Sequence, residues 1–255
     1  MRFRSSSRTI GILLGLGSMV LLPFSLSTAR NQENPRYKPT GNEGAIIGTI
    51  SFMGIPPEPL RIDTSADPIC ETINPGLTTD WVIVNDKKLA NVVVYVRAES
   101  LKSYSFDAPS GDIILEHKGC AYAPHVLGMQ TQQTLKIVNS DATFHNTHPV
   151  PKNNIEWNQS QPPGTAPIER SLKRAELFVP FKDNQHPWEK AYVGVFTHPF
   201  FSVSGIDGSY KISGLPPGEY TVVAWHEKFG EQSASVFVAG NEQKTLDFEF
   251  KKAVQ

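Results

Sequence analysis

"VPFKDNQHPWEKAYVGVFTHPFF", residues 179–201, decides how this chain is read. "RAELFVPF" (174–181) and "KAYVGVF" (190–196) are rich in Val, Phe and Tyr, and they read as two strands. The loop between them is polar and carries Asp183, His186, Pro187, Trp188 and Glu189. Earlier, "NSDATFHNTHP" (139–149) follows the alternating strand "LKIV" with a polar loop that leads to a His-Asn at His145. Each of these loops leaves a strand carrying an imidazole.

Working outward, strand signals recur along the chain. "GAIIGTISFMG" (44–54) alternates and is β-branched. "IPPEPLRIDTSADPICETINPG" (55–76) holds five prolines and reads as a surface loop. "WVIV" and "ANVVVYV" are expected to pair around the turn Asn85-Asp86-Lys87-Lys88. "GDIILEHKG" (111–119) is a further strand, and 122–141 reads as two short strands around Thr131-Gln132-Gln133. Beyond residue 198, "FFSVSG", "SYKISG", "EYTVVAW", "SASVFVAG" and "KTLDFEF" follow at short intervals. Turns at Asp207-Gly208 and Pro216-Pro217-Gly218 separate them, the first expected to close a hairpin. No amphipathic helix of ten or more residues is evident. The pattern predicts an all-β protein of β-sandwich architecture.

Residues 1–29 read as a secretory signal peptide. Arg2, Arg4 and Arg8 precede the apolar run "TIGILLGLGSMVLL", and Ser27-Thr28-Ala29 offers a cleavage site. The apolar run is short for a bilayer span. A periplasmic or secreted location is therefore expected, with no membrane span after cleavage. Without residues 1–29 the formal charge moves from −1 to −4. That argues against nucleic acid as a partner, because phosphate neutralisation needs clustered Lys and Arg. Residues 30–43 read as a flexible lead. Cys70 and Cys120 are the two cysteines, and in an exported chain an even pair suggests one disulfide. Two buried thiols, or Cys120 as a metal ligand beside His125, are the alternatives.

The common catalytic templates are absent: no G-x-S-x-G, no P-loop, no dinucleotide glycine pattern, no H-E-x-x-H and no C-x-x-C. A non-enzymatic role is expected. Of the seven His, His117 and His226 read as hydrogen-bonded residues of a β-protein. His125 and His198 read as packing at strand ends.

Taken together, "YAPHVLGMQ", "LKIVNSDATFHN" and "HPWE" resemble the cupredoxins, with the short loop most like the amicyanin type, C-x-x-H-P-x-M. Over residues 44–250 the chain resembles an exported bacterial family in which a cupredoxin-like segment adjoins a carboxypeptidase-regulatory-like (transthyretin-like) segment. "GTISFMG", "KLANVVVYV", "KGCAYAPHVLGMQ", "NSDATFHNTH", "HPWEKAYVGVFTHPFF" and "DGSYKISGLPPGEYTVVAWHEKFG" carry that resemblance. It implies a cupredoxin-like unit at 105–197, inserted in a regulatory-like sandwich made of 44–104 and 198–250, with a tail at 251–255. Two sandwiches in series is the plainer arrangement.

The resemblance implies copper ligands at His145 and His186. The Cys position falls on Asp183 and the axial Met position on Glu189, so both imidazoles are kept and both sulfurs are lost. Blue-copper electron transfer depends on a thiolate, which argues against an electron carrier. His145, His186, Asp183 and Glu189 form an N₂O₂ set suited to Cu(II) or Zn(II), with His148 able to replace a carboxylate. The other outcome is a decayed site, with Asp183 and Glu189 as solvated loop carboxylates and the two His hydrogen-bonded to each other or to backbone. The functions expected are an exported binding or accessory protein whose copper site is altered or lost, or an envelope module that binds a glycan or a protein. Trp157 and Trp188 are the candidate contact residues for the second.

Overall fold

The computed structural model describes Met1 and residues 34–252. The expected signal peptide, the start of the lead and the last residues of the tail lie outside the described residues. Among the described residues no helix is long and apolar enough to cross a membrane.

The described chain is all-β, with strands in four sheets packed in pairs. Residues 113–196 supply one pair. A five-stranded sheet runs in the order Gln159–Gln161, His145–Pro149, Glu176–Lys182, Lys190–Phe196, Val126–Gln130. It faces a four-stranded sheet of Ile168–Arg170, Leu135–Asn139, Ile113–His117 and Tyr122–Ala123. Leu115, Met129, Leu135, Ile137, Val179, Phe181 and Val193 fill the space between.

The flanking residues supply the other pair. Gly44–Met53 lies against Ser209–Leu215, Lys88–Leu89, Gln243–Thr245 and Phe248–Lys251. Val93–Arg97 lies between Phe201–Val203 and Gly218–His226, and the latter pairs with Gly230–Val238. Ile46, Ile50, Phe52, Tyr210, Ile212, Val222 and Phe250 make this core.

The run "VVVYV" (92–96) has no polar alternation for a visible reason. Side chains alternate across a strand. Val92, Val94 and Val96 enter the second core, while Val93 and Tyr95 point the other way. There they meet Val126, Phe196 and Val223 in a third cluster that joins the two pairs. Gly128 and Gly194, partners across neighbouring strands, make room for it. A Cβ on Gly128 would stand 2.6 Å from the Phe201 ring.

Four local expectations are corrected. The proline-rich loop holds a short helix, Pro68–Ile73, because Asp67 caps the amides of Ile69 and Cys70 and Pro68 opens the first turn. The lead is anchored over residues 34–43. Tyr37 packs on Tyr104 and Phe106, and its amide donates to the Ser105 carbonyl at 2.8 Å. Asp207-Gly208 does not close a hairpin: Phe201–Val203 pairs with Val93–Arg97, and Ser209–Leu215 with Gly44–Met53. Buried Ser204 ties the chain to Val92 and Leu89, and the turn with Gly208 at φ +71° carries it to the facing sheet. "ANVVVYV" does not continue the strand after the Asp86-Lys87 turn, because Asn91 at φ 61° breaks it.

Candidate metal centre

Strand pairing sets the site. Glu176–Lys182 and Lys190–Phe196 are antiparallel, with Lys182 opposite Lys190. The loop between them closes on itself. The Glu189 amide donates to the His186 carbonyl at 2.8 Å, and Asp183 Oδ1 accepts from the amides of Gln185 and His186 at 2.7 and 3.1 Å. An aspartate accepting from the two following amides makes a local turn that needs no other support. Asp183, His186 and Glu189 therefore share one side of the loop. The strand His145–Pro149, paired with Glu176–Lys182, brings His145 beneath them.

Four atoms converge. His145 Nδ1 lies 3.0 Å from Asp183 Oδ2, 3.1 Å from Glu189 Oε1 and 3.1 Å from His186 Nδ1. His186 Nδ1 lies 3.3 Å from Asp183 Oδ2 and 3.6 Å from Glu189 Oε1. All four residues are buried, each at most 3% exposed. Among the described residues Glu189 Oε1 accepts no well-aligned hydrogen bond, although two imidazole nitrogens face it at 3.1 and 3.6 Å. An unpaired carboxylate oxygen in a protein interior is costly.

Both imidazoles are fixed from behind. His145 Nε2 sits 3.1 Å from Asp141 Oδ2, and Asp141 in turn accepts from the amides of Gly119 and Cys120 at 2.7 and 2.8 Å. His186 Nε2 sits 3.1 Å from Asp67 Oδ2, which also accepts from the Thr143 hydroxyl at 2.6 Å. A carboxylate at Nε2 keeps the proton there, so Nδ1 is the ring atom that a bound cation would take, releasing the proton that the inward-facing carboxylates hold on it. Glu189 has its own support: His117 Nδ1 is 2.8 Å from Oε2, and His117 Nε2 is 3.0 Å from the Thr147 hydroxyl. The His117 ring stacks on His145 at 4.4 Å.

Electrostatics follow from this arrangement. Burial pushes the His145 pKa down, but the carboxylates of Asp141, Asp183 and Glu189 outweigh it and carry it up to about 11. His186 is raised against burial by Asp183 and Asp67. Burial would raise the Asp183 carboxyl, yet His145, His186 and backbone amides hold it far below the usual carboxylate range. Asp67 is likewise held at about 2 against burial, by Thr143, His186 and the helix amides.

The structure thus gathers His145, His186, Asp183 and Glu189 at one point. It overturns the picture of Asp183 and Glu189 as solvated, because the loop folds inward over the strand ends. His148 is elsewhere, on the surface side, with its ring nitrogens at Asn184 and Glu156. Cys70 and Cys120 form a disulfide, so Cys120 is no ligand beside His125. His125 instead lies between Glu227 and Asp80. Trp188 donates its indole N–H to the Cys120 carbonyl at 3.0 Å and packs beside His186. Trp157 packs against the Leu115 core, with the Arg170 guanidinium 5.1 Å from its ring centre.

Sequence reasoning missed His117, Asp141 and Asp67. Asp67 left a signal, since Asp followed by Pro opens a helix. His117 left none. It reaches the site only because Ile113–His117 runs parallel to Leu135–Asn139.

No family model matches the chain, and no curated protein does. Solved structures similar to parts of it are copper proteins of β-sandwich fold. A copper-containing nitrite reductase from Thermus scotoductus SA-01 is 14% identical over 34% of this chain and 22% of its own length, with a TM-score of 0.31. A purple cupredoxin from Nitrosopumilus maritimus is 19% identical over 33% of this chain and 99% of its own, at 0.29. Amicyanin from Paracoccus versutus is 16% identical over 46% of this chain and 99% of its own, at 0.30. Scores of this size describe likeness over part of the chain, and the site stands on its own distances.

Proposed function

We propose that this chain is a non-enzymatic metal-holding protein in which His145, His186, Asp183 and Glu189 take one divalent ion, Cu(II) or Zn(II). The observation that carries the reading is the buried Glu189 Oε1. It lies 3.1 and 3.6 Å from two imidazole nitrogens, without a well-aligned hydrogen bond to either among the described residues, and the far sides of both rings are held by Asp141 and Asp67. A bound cation would satisfy that oxygen and both Nδ1 lone pairs at once. Two carboxylates offset the charge of a dication, which a buried site requires.

The donor set sets the chemistry. Imidazole and carboxylate suit Cu(II) and Zn(II). Both cysteines of the chain are joined in the Cys70–Cys120 disulfide, so no thiolate is on offer for blue-copper electron transfer. All four donors are buried and come from the protein, as in structural metal sites that keep no open position. The disulfide supports an exported setting, since such bonds persist in oxidising compartments. The glycan-binding reading gains nothing from Trp157 and Trp188, whose rings face Arg170, the core and His186.

Calorimetric titration of the full chain with Cu(II) and with Zn(II) tests this, beside His145→Ala and His186→Ala. One ion per chain, lost in both variants, is expected. No binding, or binding indifferent to both changes, would overturn it.

A further inference from the structure

We propose that the centre selects a tetrahedral ion of the Zn(II) kind over Cu(II), and that His117 is the positioning residue that enforces this through Glu189. The inference rests on the metal-holding reading above and adds the identity of the ion.

Four ligands at tetrahedral bonds of Zn(II) length are all separated by about 3.3 Å. Four ligands in a square plane, the arrangement Cu(II) favours, have two pairs at about 4 Å across the diagonals. Five of the six separations are fixed here: 3.0, 3.1, 3.1, 3.3 and 3.6 Å. A square plane could hide only one diagonal in the sixth pair, Asp183 with Glu189. The other would appear among these five, and none reaches that length.

The frame also resists flattening. Asp183 is held by three backbone amides, His145 by Asp141 and His186 by Asp67. Glu189 is held through Oε2 by His117, whose other nitrogen is engaged by Thr147. His117 stands within reach of the same atoms, but its Nδ1 is 4.0 Å from Asp183 Oδ2 and 2.8 Å from Glu189 Oε2, and its part is to hold Glu189. With both ring nitrogens spoken for, His117 places Oε1 rather than sharing the ion. Affinity series for such donors ordinarily favour Cu(II) over Zn(II), so preference for Zn(II) must come from geometry. Zn(II), with a filled d shell, loses nothing in a tetrahedron.

The test uses the full chain, freed of metal and dialysed against Zn(II) and Cu(II) buffered to equal free concentrations. Metal content is then measured. Zn(II) in the greater share of sites is expected, together with intense visible absorption of tetrahedral type when Co(II) is loaded alone. His117→Gln should keep the fold by circular dichroism and shift the occupied sites toward Cu(II). Sites filled mainly by Cu(II) in the unaltered chain, or a pale Co(II) form, would overturn the selectivity while leaving the metal-holding reading in place. An unchanged Cu(II) share in His117→Gln would remove His117 from it. Failure of Zn(II), Cu(II) and Co(II) alike to bind would overturn both.

Discussion

Two histidines, equally buried, sit in the two halves of this molecule and behave in opposite ways. His226 lies in the half built on Gly44–Met53, its ring stacked on Phe229, and burial drives its pKa down to about 4. His145 lies in the half built on residues 113–196 and is driven up to about 11, although burial opposes it. Both are 0% exposed, so exposure does not separate them. Partners do. Among the described residues Nε2 of His226 has no partner, and its Nδ1 accepts from the Lys228 amide at 3.1 Å. His145 faces three carboxylates. One half has a greasy core that tolerates a neutral imidazole, and the other has a polar kernel arranged to hold charge.

The comparison can be broken from either side. The largest effect is expected from the disulfide, which belongs to the polar half and fastens the Asp67 helix over His186. Cys70 and Cys120 are 50 residues apart. Replacing both with Ala should destabilise the chain by about 4 kcal/mol, the entropy of closing a loop of that length. Urea unfolding measures it. Metal exchange, followed with a chromophoric chelator, should quicken as the helix loosens.

Next in size is a pH effect from the apolar half. Below about pH 6.5 the unfolded chain protonates His226, while the folded chain refuses the proton until about pH 4. Stability from this residue therefore falls as pH drops through that window, by up to about 3 kcal/mol. His226→Phe should take that component out of the slope of urea midpoint against pH between 7 and 5, leaving the opposite-signed one from His145 and His186, whose raised pKa values add stability as pH falls. Asp183 contributes nothing to that window, because its depressed pKa keeps it ionised there. A slope unchanged by His226→Phe would mean that the two histidines are not the contrast they look to be.

The smallest effect separates ligands from their supports. His117→Gln should weaken Zn(II) binding by about 10- to 100-fold, the usual cost of losing an outer hydrogen bond to a ligand. Glu189→Gln should cost more than His117→Gln. Calorimetry of the two variants side by side gives the order, and a reversed order would make His117 the ligand.

Much of this was legible in the chain. The loop 183–189 could be read because Asp183, His186 and Glu189 stand three apart between two plain strands, and His145 because it follows the alternating strand and its polar loop. The strands themselves followed from alternation. What was hidden depended on pairing between distant segments. His117 looks like any histidine ending a strand, and only the parallel register with Leu135–Asn139 sets it beside Glu189. Burial of Asp183 and Glu189 was also illegible, because a polar loop reads as solvated until the chain is seen to fold inward. The supposed hairpin at Asp207-Gly208 failed for the same reason: a turn signal fixes a reversal, not the sheet that each arm joins.

X-ray absorption at the zinc edge of the Zn(II)-loaded full chain tests the central claim most directly. The account predicts four nitrogen or oxygen neighbours at about 2.0 Å, two of them with the outer-shell scattering of imidazole, and no sulfur. A sulfur neighbour at about 2.3 Å, or a shell of six oxygens without imidazole, would contradict it.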